Sequence, residues 1–304
     1  MARTVEIEGR EFHNSSSNYS LPGDSAEHRR LGVQHRALKF MAGGNCLAPI
    51  VQQLKTKPCR VVDLCCGSGH WVIDMASDYP LAEVFGLDIV TPKPGIPLPE
   101  NCKFIIGDVK GRLPFGDASY DLVQMRTVPS VPDRTEILKE IGRILRPGGY
   151  VTFIEPFEVY SEALGARPPA LIEVDRLLAL SPHTPRAKEE EGGQKKSWSV
   201  AKILVRFLEE AKDQKNNKLF DWIESKWFHL PVGSWPEDPT QAGIGAWMGE
   251  VQINLVGGFR PIFVTGNLIS AEEFENLKKL VRDEVNDHSL KLRSPFMYVW
   301  AKRI

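Results

Sequence analysis

Residues 59–71, Cys-Arg-Val-Val-Asp-Leu-Cys-Cys-Gly-Ser-Gly-His-Trp, limit what this chain can fold into more than any other stretch. Val61 and Val62 predict a short buried strand, and Asp63 ends it. Gly67 and Gly69 allow a tight turn in which backbone N–H groups approach a ligand closely. Trp71, Val72, Ile73 and Met75 predict the apolar start of a helix. Strand, acid, glycine turn and helix form the first half of a nucleotide-binding βαβ unit.

Two cofactor classes use such a turn. The dinucleotide fingerprint requires a third glycine, and Val72 stands in its place. The carboxylate of Asp63, four residues before Gly67, would repel a pyrophosphate and attract an ammonium group. S-adenosylmethionine (SAM) has an amino-acid end and no phosphate, so it suits that charge better than NAD. A glycine turn that holds no ligand is the alternative; the downstream residues weigh against it.

The downstream pattern extends the unit. Residues 82–88 and 103–107 read as the second and third strands, separated by a segment, 91–100, whose four prolines forbid a regular element. Residues 120–125 read as the fourth strand. Asp133 and Glu136 give a capping-box pattern for a helix burying Ile137, Leu138, Ile141 and Leu145. Arg146-Pro-Gly-Gly149 then turns the chain into a fifth strand over 150–155. Strand–helix alternation through residue 155 predicts a doubly wound, mostly parallel, Rossmann-like α/β sheet. Ligands bind at the carboxyl ends of such strands, where Asp63, Asp88, Asp108, Arg126 and Glu155 fall.

The flanks are less regular. Residues 1–18 read as a polar arm with at most a short strand. Asp24 or Ser25 can cap a helix carrying Leu31, His35, Leu38 and Phe40, which Gly43 and Gly44 stop. A short helix over 47–54 precedes the first strand. Beyond residue 155 the pattern predicts an inserted helix within 156–180 and a charged loop over 181–197. One apolar helical face follows at Val200, Ile203, Leu204, Phe207, Leu208 and Ala211. An aromatic strand over 218–230, a second inserted helix within 233–258, a helix opened by the capping box Ser270–Glu273 and a last strand over 296–301 complete the chain. Two terminal strands would bring the sheet to seven. The organisation expected is an arm with lid helices (1–55), a SAM-binding core (56–155), and a C-terminal part (156–304) whose inserted helices cap the active site.

Each charged strand end has a reading and an alternative. Asp88 lies 21 positions after Gly67, where a carboxylate can accept both ribose hydroxyls of an adenosine; it could instead cap the following turn. Asp108 can accept from an adenine amino group while the Val109 N–H donates to a ring nitrogen; the alternative is an Asp-initiated turn. Asp63 anchors the glycine turn and the cofactor's ammonium. Arg126 pairs with the cofactor carboxylate or with Glu155. Ile89 and Met125 complete the cofactor-binding set beside Cys65, Gly67 and Gly69, and Tyr19 is a candidate lid residue. Methyl transfer is an in-line displacement, so alignment is the protein's main task. An acidic nucleophile also needs a base; His35 is the first candidate, against the commoner case of a structural histidine.

Composition excludes other classes. A formal net charge of -1 over 304 residues leaves no electrostatic footprint for nucleic acid. No apolar run has the length of a signal peptide or a membrane span. Five cysteines, two of them adjacent, suit reduced intracellular thiols, and no CxxC pair or His cluster offers a metal site. A cytoplasmic location is expected, with the nucleus as the alternative.

These residues resemble the class I SAM-dependent methyltransferases. The motifs are Val-Val-Asp63-Leu-Cys-Cys-Gly-Ser-Gly69, Gly-Leu-Asp88, Gly-Asp108-Val and Leu-Arg-Pro-Gly-Gly149. More narrowly, the chain resembles the fungal LaeA-like (TAM-domain) group in Tyr19-x-Leu-Pro-x-Asp24, Glu27, Arg30, Gln34-His35, Trp71-x-Ile-Asp-Met-Ala76 and Leu230-Pro-Val-Gly-Ser-Trp-Pro236. One position departs: the family usually has glycine where Cys65 stands, and a side chain there narrows the space beside the cofactor's amino-acid end. The resemblance implies SAM binding and methyl transfer to an O, N or S atom of a small, largely apolar secondary metabolite. Its alternatives are a LaeA-like regulator acting through protein partners and a SAM-binding fold that catalyses another reaction.

Overall fold

A computed structural model of the chain describes residues 4–13, 21–90, 92, 95–128, 131, 134–181 and 200–304. Tyr19, Asp133 and nearly all of the charged loop expected over 181–197 lie outside the described residues. Strands β1 (Thr4–Ile7) and β2 (Arg10–His13) form an antiparallel hairpin. Helix α1 (Ser25–Ala42) begins where Asp24 Oδ1 accepts from the N–H groups of Ala26 and Glu27, the capping role expected of it. The second helix, α2 (Val51–Thr56), starts later than the apolar pattern suggested.

Six elements then follow the expected alternation: β3 (Cys59–Leu64), α3 (His70–Asp78), β4 (Ala82–Asp88), β5 (Cys102–Ile106), β6 (Tyr120–Arg126) and α4 (Thr135–Ile144). Val61, Val62, Leu64, Leu122, Val123 and Met125 have no solvent exposure, as strands covered on both faces require. Strand β7 (Leu145–Pro156) absorbs the Arg-Pro-Gly-Gly149 segment read as a turn, with a register shift between Tyr120 and Leu122 on its neighbour. The remaining elements are β8 (Tyr160–Ser161), α5 (Pro169–Leu180), α6 (Leu204–Glu210), β9 (Phe220–Pro231), α7 (Pro239–Gly258), α8 (Ala271–Asn286) and β10 (Leu292–Arg303).

The chain divides into two compact units, neither of them continuous. One comprises residues 42–156, 187–228 and 296–304; the other comprises 1–41, 157–186 and 229–295. The segments 1–55, 56–155 and 156–304 do not coincide with these units, because the C-terminal segment contributes to both.

The first unit holds the sheet. Its order is β5-β4-β3-β6-β7-β10, with β9 also paired to β10. Strands β3 to β7 pair in parallel, and β10 runs antiparallel to β7. The chain moves outward from β3 to β5, then returns to place β6 on the other side of β3. That reversal is a topological switch point, where the carboxyl ends of neighbouring strands open a crevice. The seven expected strands are all here. An eighth is added by the two-residue β8, which pairs with Leu292 and Arg293 within the second unit.

The second unit is mainly helical. The Ser270–Glu273 capping box at the head of α8 is present in both directions, as the sequence predicts. On α1, Glu27, Arg30 and Gln34 are buried together: Arg30 Nη2 donates to Glu27 Oε1 at 2.6 Å and Nη1 donates to Gln34 Oε1 at 3.1 Å. These residues, read from the family pattern, therefore form an internal network of the helix face.

Candidate cofactor site

The switch point is where the expected residues meet. Asp63, the next-to-last residue of β3, lies opposite Gln124 on β6, and Leu64, the last, lies opposite Met125. The next residue, Cys65, takes the left-handed conformation at φ +58°, followed by Gly67 at +54° and Gly69 at +77°. Gly69 has a steric reason as well as a conformational one. A Cβ there would stand 2.6 Å from Cζ of Phe104 and 3.3 Å from Cβ of Pro92. The turn can thus lie tight against β5 only without a side chain. Sequence reading did not find Phe104. It also fills the space beside Gly86, where a Cβ would stand 2.7 Å from Cδ1 of its ring.

Asp88 braces this turn. Its Oδ2 accepts from Gly67 N–H at 2.7 Å, and its Oδ1 accepts from Val90 N–H at 3.0 Å. A carboxylate offers about four acceptor sites. The Val90 contact is the capping of the following turn weighed for Asp88, and the Gly67 contact ties the same carboxylate to the glycine turn. Ile89 lies half-buried between these contacts. Asp108 is exposed and its Oδ1 accepts from Lys110 N–H at 2.9 Å, the Asp-initiated turn weighed for it. Val109 beside it is buried in the core.

Asp63 is 1% exposed, and its Oδ1 has no hydrogen-bond partner among the described residues. Burial pushes its carboxyl up to about 7; the Arg126 charge opposes this and the Asp88 charge reinforces it. Burial likewise pulls Arg126 down from the ordinary guanidinium range, against the pull of Asp63. Gln124, oriented to donate to Thr152 Oγ1 at 2.6 Å, accepts from Arg126 Nε at 3.3 Å. The guanidinium carbon lies 5.9 Å from the centroid of the Trp71 ring.

Glu155 corrects one reading. Its partner is Arg134, not Arg126: Arg134 Nη2 donates to Glu155 Oε1 at 2.7 Å. Arg134 precedes the first turn of α4 and is fully buried. It escaped sequence reading because a charged residue beside a helix start looks like surface, and the signal lay in Glu155, a buried acid that requires a cation. His35, the candidate base, is 6% exposed on α1 in the helical unit.

An orphaned, buried carboxylate oxygen beside a cation suits a ligand that carries both an ammonium and a carboxylate. That is the amino-acid end of SAM, whereas a pyrophosphate finds acids at Asp63 and Asp88. Residues 61–149 match a methyltransferase-domain family model. The methyltransferase str2 of Strobilurus tenacellus is 29% identical over 275 residues, covering 88% of this chain and 90% of that protein. The methyltransferase pytC of Aspergillus terreus is 26% identical over 97% of this chain and 86% of its own. A protein of Cochliobolus heterostrophus described as the secondary metabolism regulator LAE1 is 29% identical over 79% of this chain and 74% of its own. These likenesses support a class I SAM-dependent methyltransferase of the fungal LaeA-like group.

SAM is accordingly the methyltransferase's cofactor; when bound it supplies a methyl group on a sulfonium, activated for displacement. Asp63 would offer the cofactor an acceptor, Arg126 a cation, Asp88 a carboxylate, and the turn from Cys65 to Gly69 a close approach of backbone. All five cysteines are free, and Cys65 alone is not fully buried. No helix of the described residues is long and apolar enough to cross a membrane.

Proposed function

We propose that this methyltransferase transfers the methyl group of SAM to an O, N or S atom of a small, largely apolar secondary metabolite. In this reading Asp63 and Arg126 take the ammonium and carboxylate of the cofactor. Asp88 takes the ribose, Asp108 and Val109 the adenine, and Ile89 and Met125 line the adenosyl pocket. The observation that supports methyl transfer beyond the cofactor core is the reach of the likeness. Cofactor-binding cores are shared by enzymes with many different acceptors, so only the rest of the chain bears on the acceptor. The likeness to two proteins named as methyltransferases runs through 88% and 97% of this chain, far beyond the family-model match over 61–149. The test is incubation with methyl-labelled SAM and a metabolite extract of the source organism. Label should appear in an organic-extractable small molecule. Label that stays in SAM, while calorimetry shows SAM binding, would refute this acceptor class.

A second reading is favoured by the relative described as a secondary metabolism regulator. It places the methyltransferase among regulators acting through protein partners. Label recovered in a protein band rather than in the small-molecule fraction would select it.

A further inference from the structure

The loop leaving β6 carries a residue that the cofactor site has not explained. Thr127 has φ +50°. A β-branched residue at positive φ is a steric outlier, and glycine or asparagine would hold the same turn without strain. Its conformation is fixed from both sides. Thr127 N–H donates to Ile154 O at 2.8 Å, and Val128 N–H donates to Glu155 Oε1 at 3.5 Å. Arg134 Nη2 donates to Val128 O at 3.0 Å and to Glu155 Oε1 at 2.7 Å, while its Nη1 donates to Met125 Sδ at 2.8 Å. Arg134 and Glu155 are 0% and 2% exposed.

A buried ion pair is a weak source of net stability. This one ties the peptide after Thr127 to the end of β7, so its evident effect is to hold a strained turn in place. Strain of this kind persists only where the surroundings over-determine it, and it gathers at functional sites. Thr127 directly follows Arg126 at the switch point. Its hydroxyl has no hydrogen-bond partner among the described residues.

We propose that Thr127 is a cofactor-binding residue, held by the Arg134–Glu155 clamp so that its hydroxyl donates to the carboxylate at the amino-acid end of SAM. The proposal rests on the cofactor arrangement given above. It explains why threonine stands where glycine would be less strained: the turn is needed, and so is the hydroxyl.

The test compares Thr127→Val, Thr127→Ser and Thr127→Gly in the full chain by calorimetry. The probes are SAM, S-adenosylhomocysteine and 5′-methylthioadenosine, the last of which lacks the amino-acid end. Thr127→Val should weaken SAM and S-adenosylhomocysteine by roughly ten- to a hundredfold, the worth of one hydrogen bond to a charged group. Binding of 5′-methylthioadenosine should not change. Thr127→Ser should restore the affinity, and Thr127→Gly should show the same loss with a Tm no lower than that of the parent. Because glycine suits the turn, that variant decides the matter even where valine is poorly tolerated. Unchanged SAM affinity in Thr127→Val and Thr127→Gly would overturn the proposal. So would an equal loss for all three probes, which marks a merely structural role. A parent chain that binds none of the probes would instead overturn the cofactor arrangement.

Discussion

Replacing Asp63 by asparagine separates the folding cost of the cofactor site from its use. Burial holds the Asp63 carboxyl at about 7, against an ordinary value of 3.8. The folded chain therefore keeps a proton that the unfolded chain has released across the window between those values. The stability this contributes is fully present below pH 3.8 and is lost as pH rises through 7. Three units at about 1.36 kcal/mol each give a loss of up to ~4 kcal/mol by pH 8, an upper bound because the site can relax. The asparagine side chain does not titrate. The stability of Asp63→Asn minus that of the parent should rise from near its low-pH value through the window and level off above pH 7. Urea denaturation at four pH values measures this difference, and other titrating groups cancel in it. The bound cofactor should reverse the sign. At pH 6 the free α-amino group of SAM is charged and Asp63 is largely protonated, so binding should release close to one proton. Calorimetry in two buffers of different ionisation enthalpy reads that proton, and Asp63→Asn should show neither the release nor tight binding. Parallel stability curves, together with a binding heat independent of buffer, would refute the idea that this buried acid is kept for an ammonium.

Three further variants probe the turn. Gly69→Ala places a Cβ 2.6 Å from the Phe104 ring at φ +77°, so denaturation should show a loss of about 1–3 kcal/mol and calorimetry a weaker SAM. Cys65→Gly removes the strain of φ +58° and widens the space beside the amino-acid end. Its gain of roughly 1–2 kcal/mol from relieved strain is partly offset by glycine's unfolded-state entropy. Its Tm should therefore be no lower than the parent's, with SAM affinity higher. Asp88→Ala leaves the Gly67 and Val90 N–H groups without their acceptor. It should cost about 1–3 kcal/mol and abolish SAM binding measurable by calorimetry. Retained binding would show that the turn does not depend on this brace.

The parts of the fold that were legible are those whose signal is local. The range 82–88 was read to the residue because strand β4 is a short, mostly apolar run that ends in an acid. The Ser270–Glu273 box announces its helix in four residues. The parts that were not legible depend on partners distant in sequence. Arg146-Pro-Gly-Gly149 has the composition of a turn and stays unpaired in the sheet, but Leu145 before it pairs with Tyr120 of β6, so the strand starts earlier than residue 150 and carries the four residues as a bulge. The Phe104 ring that forces Gly69 and Gly86 to lack side chains lies on another strand, and no spacing rule links the three.

The carboxylates show the same limit in the site. Sequence placed Asp63, Asp88, Asp108 and Glu155 alike, each an acid at a strand end. The structure gives them four different environments. Asp63 is buried with an oxygen left over, whereas Asp88 is committed to backbone N–H groups. Asp108 is exposed on its own turn, and Glu155 is neutralised by a fully buried arginine. What each can do follows from that difference, since a carboxylate with satisfied oxygens supports the backbone and one with an orphaned oxygen awaits a cation. Periodicity places an acid on a strand end, but desolvation and the position of the nearest cation decide its role. Both are properties of packing. Asp63 is therefore the residue on which the cofactor reading depends, because among the four its charge is opposed by burial while one of its oxygens remains unsatisfied by the chain.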